Sequence, residues 1–503
     1  MKLEELEYLS KIITRNKAKH IPMLGDTPQE KSKAEVLYDQ LRQGDFRSEE
    51  EAIRAFFGDS KYRKHNFSRV KRQLEEKLIN TLFFVDLAQS DFSSIQSAYY
   101  SCYRYAAAVK ILIGRAARKA AIPLAESTLQ KAQKFGFTDI IFLMAKELRN
   151  HYANMEGNKK KYSQYNKLVE EHLEILVIES RLEAYFSEIV LYLSVSKTVA
   201  PELKEKITLY ADYAEKQVTK YPYYRLNLFG FNIITLTYQF LNDHEKLMAS
   251  CERAIQYFDS LDNEISQTAN YRYMLRMLPS QIMLGHFDRA EELALRALHL
   301  APTDSYNYFK ILEFYLILGF YSQRYEIALK ASEMAHAQPV FEEQYAHNSE
   351  YWKLYDGFIY LFIQLGKIKV PEDSAPRQFK VGRFLNEVPI YSKDKRGANV
   401  TILILQVLLL LQQQKHDKII DKADALKVYT SRYLRKNETY RSNCFLKMLL
   451  LLPYYGFNKK IILKRAARLE KKLSEVKLAD ISPNLEVEIV PYETLWEIVK
   501  ELL

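Results

Sequence analysis

The chain has 503 residues, 48% of them apolar and 27% charged, a mixture that excludes a disordered or fibrous protein. Only 14 glycines occur, few for the turns and phosphate loops of an α/β enzyme and in keeping with helices joined by short loops. The excess of 73 Lys and Arg over 63 Asp and Glu, a formal net charge of +10, is mild at this length: it permits an acidic partner and does not demand one.

The opening, MKLEELEYLSKII, is acidic and amphipathic and lacks the apolar core of a signal peptide. HIPMLGDTPQ (20–29), with two prolines and a glycine, reads as a loop. AEVLYDQLRQ (34–43) has helical periodicity. SEEE at 48–51 predicts a capped helix, with Ser48 accepting from a first-turn amide and Glu51 reaching back, and Gly58 breaks it after about Phe57. The next helix carries Lys61, Arg63, Lys64, Asn66, Arg69, Lys71 and Arg72, with His65 among them.

This order of helix, capped helix, short turn and basic helix resembles the helix-turn-helix part of winged-helix domains in bacterial regulators. The resemblance implies nucleic-acid contact, with cations and helix-end amides on phosphates and Asn66 or Arg69 at base edges. No strands precede the helices and no Gly-turned hairpin follows, so a wing is not predicted. The basic helix runs on into the apolar LINTLFFVDL and holds Glu75 and Glu76. The other reading of the same residues is a solvated face on a structural helix that caps an array.

From residue 91 onward the helical period dominates, as in IPLAESTLQKAQKFGF (122–137) and YNKLVEEHLEILVIESRLEAYF (165–186). LGHFDRAEELALRALHLAPTD (284–304) is the most legible stretch. Gly285 suits a tight turn, Ala290, Ala294 and Ala297 fall on one face of a helix, and Pro302 ends it. Small residues at that spacing let two helices approach closely. The same spacing recurs at Ala125, Leu129 and Ala132, at Leu247, Cys251 and Ala254, and at Ala328, Ser332 and Ala335 with Pro339 following.

These residues resemble the second helix of the tetratricopeptide repeat. The preceding helix, YRYMLRMLPSQIML (271–284), departs from that family, with Met274, Met277, Leu278 and Gln281 where it favours Trp, Leu, Gly and Tyr, and Pro279 is expected to kink it. The later seams are spaced more widely than 34 residues, which predicts longer helices and degenerate repeats. The resemblance implies protein recognition on a concave surface. The spacing alone implies helix packing.

VPEDSAPRQ (370–378) reads as a connector and SKDKRGAN (392–399) as a polar loop. VTILILQVLLLL (400–411) is shorter than the ~20 residues of a spanning helix and contains Gln406, so a buried helix is predicted and no membrane partner. KIIDKADALKVYTSRYL (418–434) and FLKMLLLLPYYGF (445–457) continue the helical pattern, the second ended or bent by Pro453. KKIILKRAARLEKKL (459–473) is strongly amphipathic. Its basic side can be a solvated outer face, a partner or nucleic-acid surface, or a membrane-surface face. LEVEIV (485–490) is the one strand-like alternation. YETLWEIVKELL (492–503) offers Trp496, Ile498, Val499 and Leu502 for docking on the array or on another subunit.

Chemistry was sought along the same path. Cys102, Cys251 and Cys444 form no CxxC pair, which points to a reducing compartment. No phosphate-loop, dinucleotide, nucleophile-elbow or zinc-protease motif occurs. His172 beside Glu171 is expected on a helix surface, and His286 and His299 at a turn and on a helix face. No catalytic, metal or cofactor residue is predicted. The expectation is an all-α protein: a tetratricopeptide-like right-handed helical-hairpin solenoid over 91–370, with helical regions at 1–90 and 371–503. A non-enzymatic, cytoplasmic scaffold for protein partners is expected, and the alternative is a nucleic-acid-binding bacterial regulator.

Overall fold

The computed structural model describes residues 3, 6–7, 32–46, 48–58, 62–83, 94–195, 201–261, 263–341, 349–371, 379–386, 398–433, 440–476 and 488–503. Among them are 21 helices and no strand. The chain divides into two compact units, 1–174 and 175–503.

The first unit has two cores. One joins α1 (Lys33–Gln43), α2 (Glu49–Phe57) and α3 (Arg63–Leu82) through Leu37, Leu41, Ala52, Ile53, Phe67, Val70, Leu74 and Leu78. Ser48 caps α2, accepting from the Glu51 amide at 3.2 Å. α1 has the fuller capping box: Ser32 accepts from the Glu35 amide, and the Glu35 carboxylate accepts from the Ser32 amide at 2.8 Å. The other core joins α4 (Ser94–Gly114), α5 (Arg118–Phe135) and α6 (Thr138–Asn154). The division point falls inside α7 (Lys159–Val195). His172, on that helix, is buried, correcting its expected place on the surface; its Nδ1 lies 3.0 Å from the Leu168 carbonyl.

The second unit is built from helix pairs around one core that runs from Ile175 to Val499. They are α8 (Pro201–Lys220), α9 (Tyr224–Phe240), α10 (His244–Asp259), α11 (Asn263–Met283), α12 (Phe287–Leu300), α13 (Tyr306–Tyr321), α14 (Tyr325–His336), α15 (Ser349–Gln364), the short α16 (Val381–Asn386), α17 (Ala398–Gln412), α18 (His416–Tyr433), α19 (Tyr440–Tyr454), α20 (Lys459–Glu475) and α21 (Tyr492–Leu502). Each helix from α8 to α14 packs on its sequence neighbour, as do α17 to α21.

One turn repeats along this unit. Asn242, Gly285, Gln323, Gly366, Gln414 and Gly456 have left-handed backbone, at intervals of 43, 38, 43, 48 and 42 residues. At five of them the next amide reaches back five residues, as His286 N does to Gln281 O at 2.9 Å and Lys415 N to Leu410 O at 2.9 Å. That bond satisfies a last-turn carbonyl, and the left-handed residue reverses the chain into the second helix of the pair.

The small-residue seams lie inside the helix packing, that of α5 in the first unit and the others in the second. Ala125, Ala132, Ala254, Ala290, Ala294, Ala297, Ala328 and Ala335 are all fully buried, and Pro302 stands just beyond the C-cap of α12. Gly319 of α13 lies so close to Ala328 of α14 that an added Cβ would meet the Ala328 amide nitrogen at 2.6 Å. α11 continues through Pro279, where a kink was expected, and Pro453 falls in the last turn of α19.

α17 is buried as predicted from its apolar run. Gln406 at its centre donates to Phe384 O at 3.4 Å and accepts from Lys422 Nζ at 2.9 Å. The strand-like LEVEIV is corrected where it is described: 488–490 are bends that lead into α21, with Glu488 buried. Residues 485–487 lie outside the described residues, as do 20–29, 372–378 and 392–397.

Candidate functional site

The first helices of successive pairs form a row in which α11 packs directly on α13. These helices bury much of their length, and two of the cations they carry have opposite surroundings. Lys310 on α13 has its own counter-ion, Glu313, one turn along at 2.5 Å. Arg276 on α11 is half-buried and pairs with no carboxylate among the described residues.

Arg276 donates to the Thr235 hydroxyl and, at 3.5 Å, to the Asn232 carbonyl, both on α9. Thr235 can accept because its own proton goes to Phe231 O at 2.6 Å. Burial pulls the guanidinium pKa down; Cys251 and Tyr273 act against that and Arg272 adds to it. The Tyr273 hydroxyl, one turn before Arg276, is buried with no hydrogen-bond partner among the described residues. A cation in this position keeps unused donors beside an unsatisfied hydroxyl, and such groups are stabilised by an anionic or hydrogen-bonding ligand.

Sequence reasoning did not single out Arg276. The available signal was the second of two arginines in YRYMLRMLPSQIML, set among methionines and leucines four residues after the exposed Arg272. Arg441, an arginine similarly placed near the start of YRSNCFLKMLLLL, proves structural. It is 1% exposed and grips Glu488 through Nε at 3.1 Å and a terminal nitrogen at 2.8 Å. It also donates to Glu493 at 2.6 Å and to the carbonyls of Leu473 and Val476 at 2.9 and 3.0 Å.

The basic residues of 61–72 are placed as follows. Lys61 lies outside the described residues. Lys71 is turned inward onto Glu49 of α2 at 2.5 Å, and Arg72 pairs with Glu76 at 3.5 Å. Farther along the same helix Lys77 holds Glu35 of α1 at 2.8 Å. Arg63 donates to Gly58 O at 3.4 Å, and Asn66 is half-buried. Lys64 and Arg69 are exposed, with no ion pair among the described residues. Two of this helix's lysines, Lys71 and Lys77, therefore fasten it to the other two helices of the bundle.

The eight seam alanines are buried in helix packing and not in an open site, while Gly285 and Pro302 are exposed at the turn and just past the helix end. His286 sits at the N-cap of α12, 2.9 Å from Gln281 Oε1, and His299 is exposed on the last turn. Among the described residues no three His, Cys, Asp or Glu side chains are grouped to hold a metal ion. No helix of the described residues is long and apolar enough to cross a membrane. No family model, curated protein or solved structure matches the chain.

Proposed function

We propose that this protein is a non-enzymatic scaffold, a tetratricopeptide-like helical-hairpin array that binds a protein partner along the row of first helices. Support for the array comes from the left-handed turn that recurs every 38–48 residues and from the fully buried alanine seams. Support for a binding role comes from one observation above the others: Arg276 stands half-buried on the first-helix row with no carboxylate partner among the described residues. Removing a charge from water without a counter-ion is costly. A partner that brings a carboxylate to Arg276 offsets that cost, while the apolar side chains around it supply the anchor contacts that dominate such interfaces.

The test is a random-peptide display selection on the full chain, repeated with Arg276→Gln. Acid-bearing peptides enriched on the wild type and lost from the variant are the expected result, with affinity falling roughly tenfold or more for loss of a charge-assisted pair. Peptides that bind both forms equally would place recognition elsewhere and remove the reading.

A further inference from the structure

We propose that the outward face of α20 binds the phosphate backbone of a nucleic acid. The charge there is local. Lys459–Glu475 contains seven Lys or Arg against two Glu, a net +5, half of the +10 carried by the whole chain. Lys460, Lys464, Arg468 and Lys471 are exposed, recur at steps of four, four and three residues, and lie opposite the buried Ile462, Ala466 and Leu473. At 1.5 Å per residue they make a row about 16 Å long, which Glu475 closes at the far end.

None of the four has an ion pair among the described residues. The nearest acid on their own helix, Glu470, is taken by Lys500 of α21 at 2.7 Å. Stability of the helix does not account for the row. Like charges four apart repel one another, and Lys459 and Lys460 stand at the helix N-terminus, where the macrodipole disfavours cations. An external polyanion reverses both penalties.

The contrast with α3 is informative, because both helices read as basic in sequence. On α3, Lys71, Arg72 and Lys77 are committed to Glu49, Glu76 and Glu35. On α20 the four cations of the row face outward, with no carboxylate partner among the described residues.

A nucleic acid fits the row better than a lipid surface. An interfacial helix must insert its apolar side, and that side of α20 is locked in the core. The row is also narrow, flanked on the α21 side by Glu470 and Glu497 around Lys500. A single phosphate strand can follow it, whereas a broad anionic sheet would meet those carboxylates as well.

The experiment is fluorescence anisotropy of the full chain with a labelled single-stranded DNA of about 20 nucleotides over a salt series, where four neutralised phosphates give a slope of log K against log salt near −3. The triple variant Lys464→Glu, Arg468→Glu, Lys471→Glu is expected to bind at least about tenfold more weakly, with a much flatter slope. The control Lys64→Glu, Arg69→Glu is expected to bind as wild type. Circular dichroism and melting temperature check that each variant is folded. The proposal is overturned by a folded triple variant that binds like wild type, by wild type that ignores DNA at low salt, or by retention on phosphatidylserine vesicles and not on DNA.

Discussion

At the residue scale, a close approach between two helices is set by one missing methyl group. Gly319 faces Ala328 across the α13–α14 pair, with an added Cβ 2.6 Å from the Ala328 amide and 3.1 Å from its Cβ. The obstructing atoms are backbone, so the helices themselves must move apart. Gly319→Ala normally raises helix propensity, but here overpacking is expected to win and to cost about 1–3 kcal/mol. Urea unfolding measures it, and a variant as stable as wild type would show that this pair adjusts freely. Ala328 was legible from its spacing with Ser332 and Ala335. Gly319, inside ILEFYLILGFY, was not, because a glycine in an apolar helix does not say which neighbour it admits.

At the element scale, charged side chains tie the three-helix bundle together. Glu35 closes the capping box of α1 and also receives Lys77 of α3 at 2.8 Å. The lysine first, and the Ser32 amide next, draw its carboxyl from the ordinary 4.5 down to about 2. A carboxyl whose folded pKa is depressed contributes stability above its unfolded value and loses it as pH falls through the folded one. The stabilisation is therefore complete above about pH 4.5 and gone near pH 2. Because Glu35 is partly exposed, the effect is modest and screened by salt. In melts at stepped pH, wild type should exceed Glu35→Gln at neutral pH, and the gap should close across that window; a gap that persists at pH 2 would assign the stabilisation to another group. Periodicity made α1, α2 and α3 legible as helices. Their pairing was not, since Lys71 and Lys77 look like Lys64 and Arg69 until the bundle is assembled.

The repeat is legible to the same uneven degree. Gly285 announces its turn because glycine favours left-handed backbone. Gln323 and Gln414 occupy the corresponding turns with φ of 57° and 58°, and a glutamine carries no such signal in sequence. One hairpin could thus be read with confidence in its turn chemistry, and its neighbours only through their alanines. The acidic alternation at 485–490 misled for a related reason: Glu488 points inward because Arg441, 47 residues earlier, receives it.

At the scale of the second unit, the C-terminal segment ties distant hairpins together. Tyr321 on α13 donates to the Glu488 carbonyl at 2.8 Å, and the Glu488 carboxylate accepts from Arg441 of α19 and from the Tyr492 amide at 2.8 Å. α21 then crosses three turn ends: Lys367 reaches Glu501 at 3.0 Å, Gln414 donates to Leu502 O at 3.4 Å and Lys459 to Lys500 O at 2.5 Å. An array with nearest-neighbour contacts alone unfolds in pieces; these long connections are expected to make it unfold as one. The only two tryptophans, Trp352 on α15 and Trp496 on α21, are both buried and report on separate places. Single-tryptophan forms carrying Trp352→Phe or Trp496→Phe should give coincident urea midpoints. Arg441→Ala leaves Glu488 buried without its cation, a loss of roughly 3–5 kcal/mol, and in that background the Trp496 transition should move to lower urea than the Trp352 transition. Midpoints already apart in the otherwise native chain would mean that α21 rests on the array without coupling it, and that cooperativity resides in the hairpin contacts.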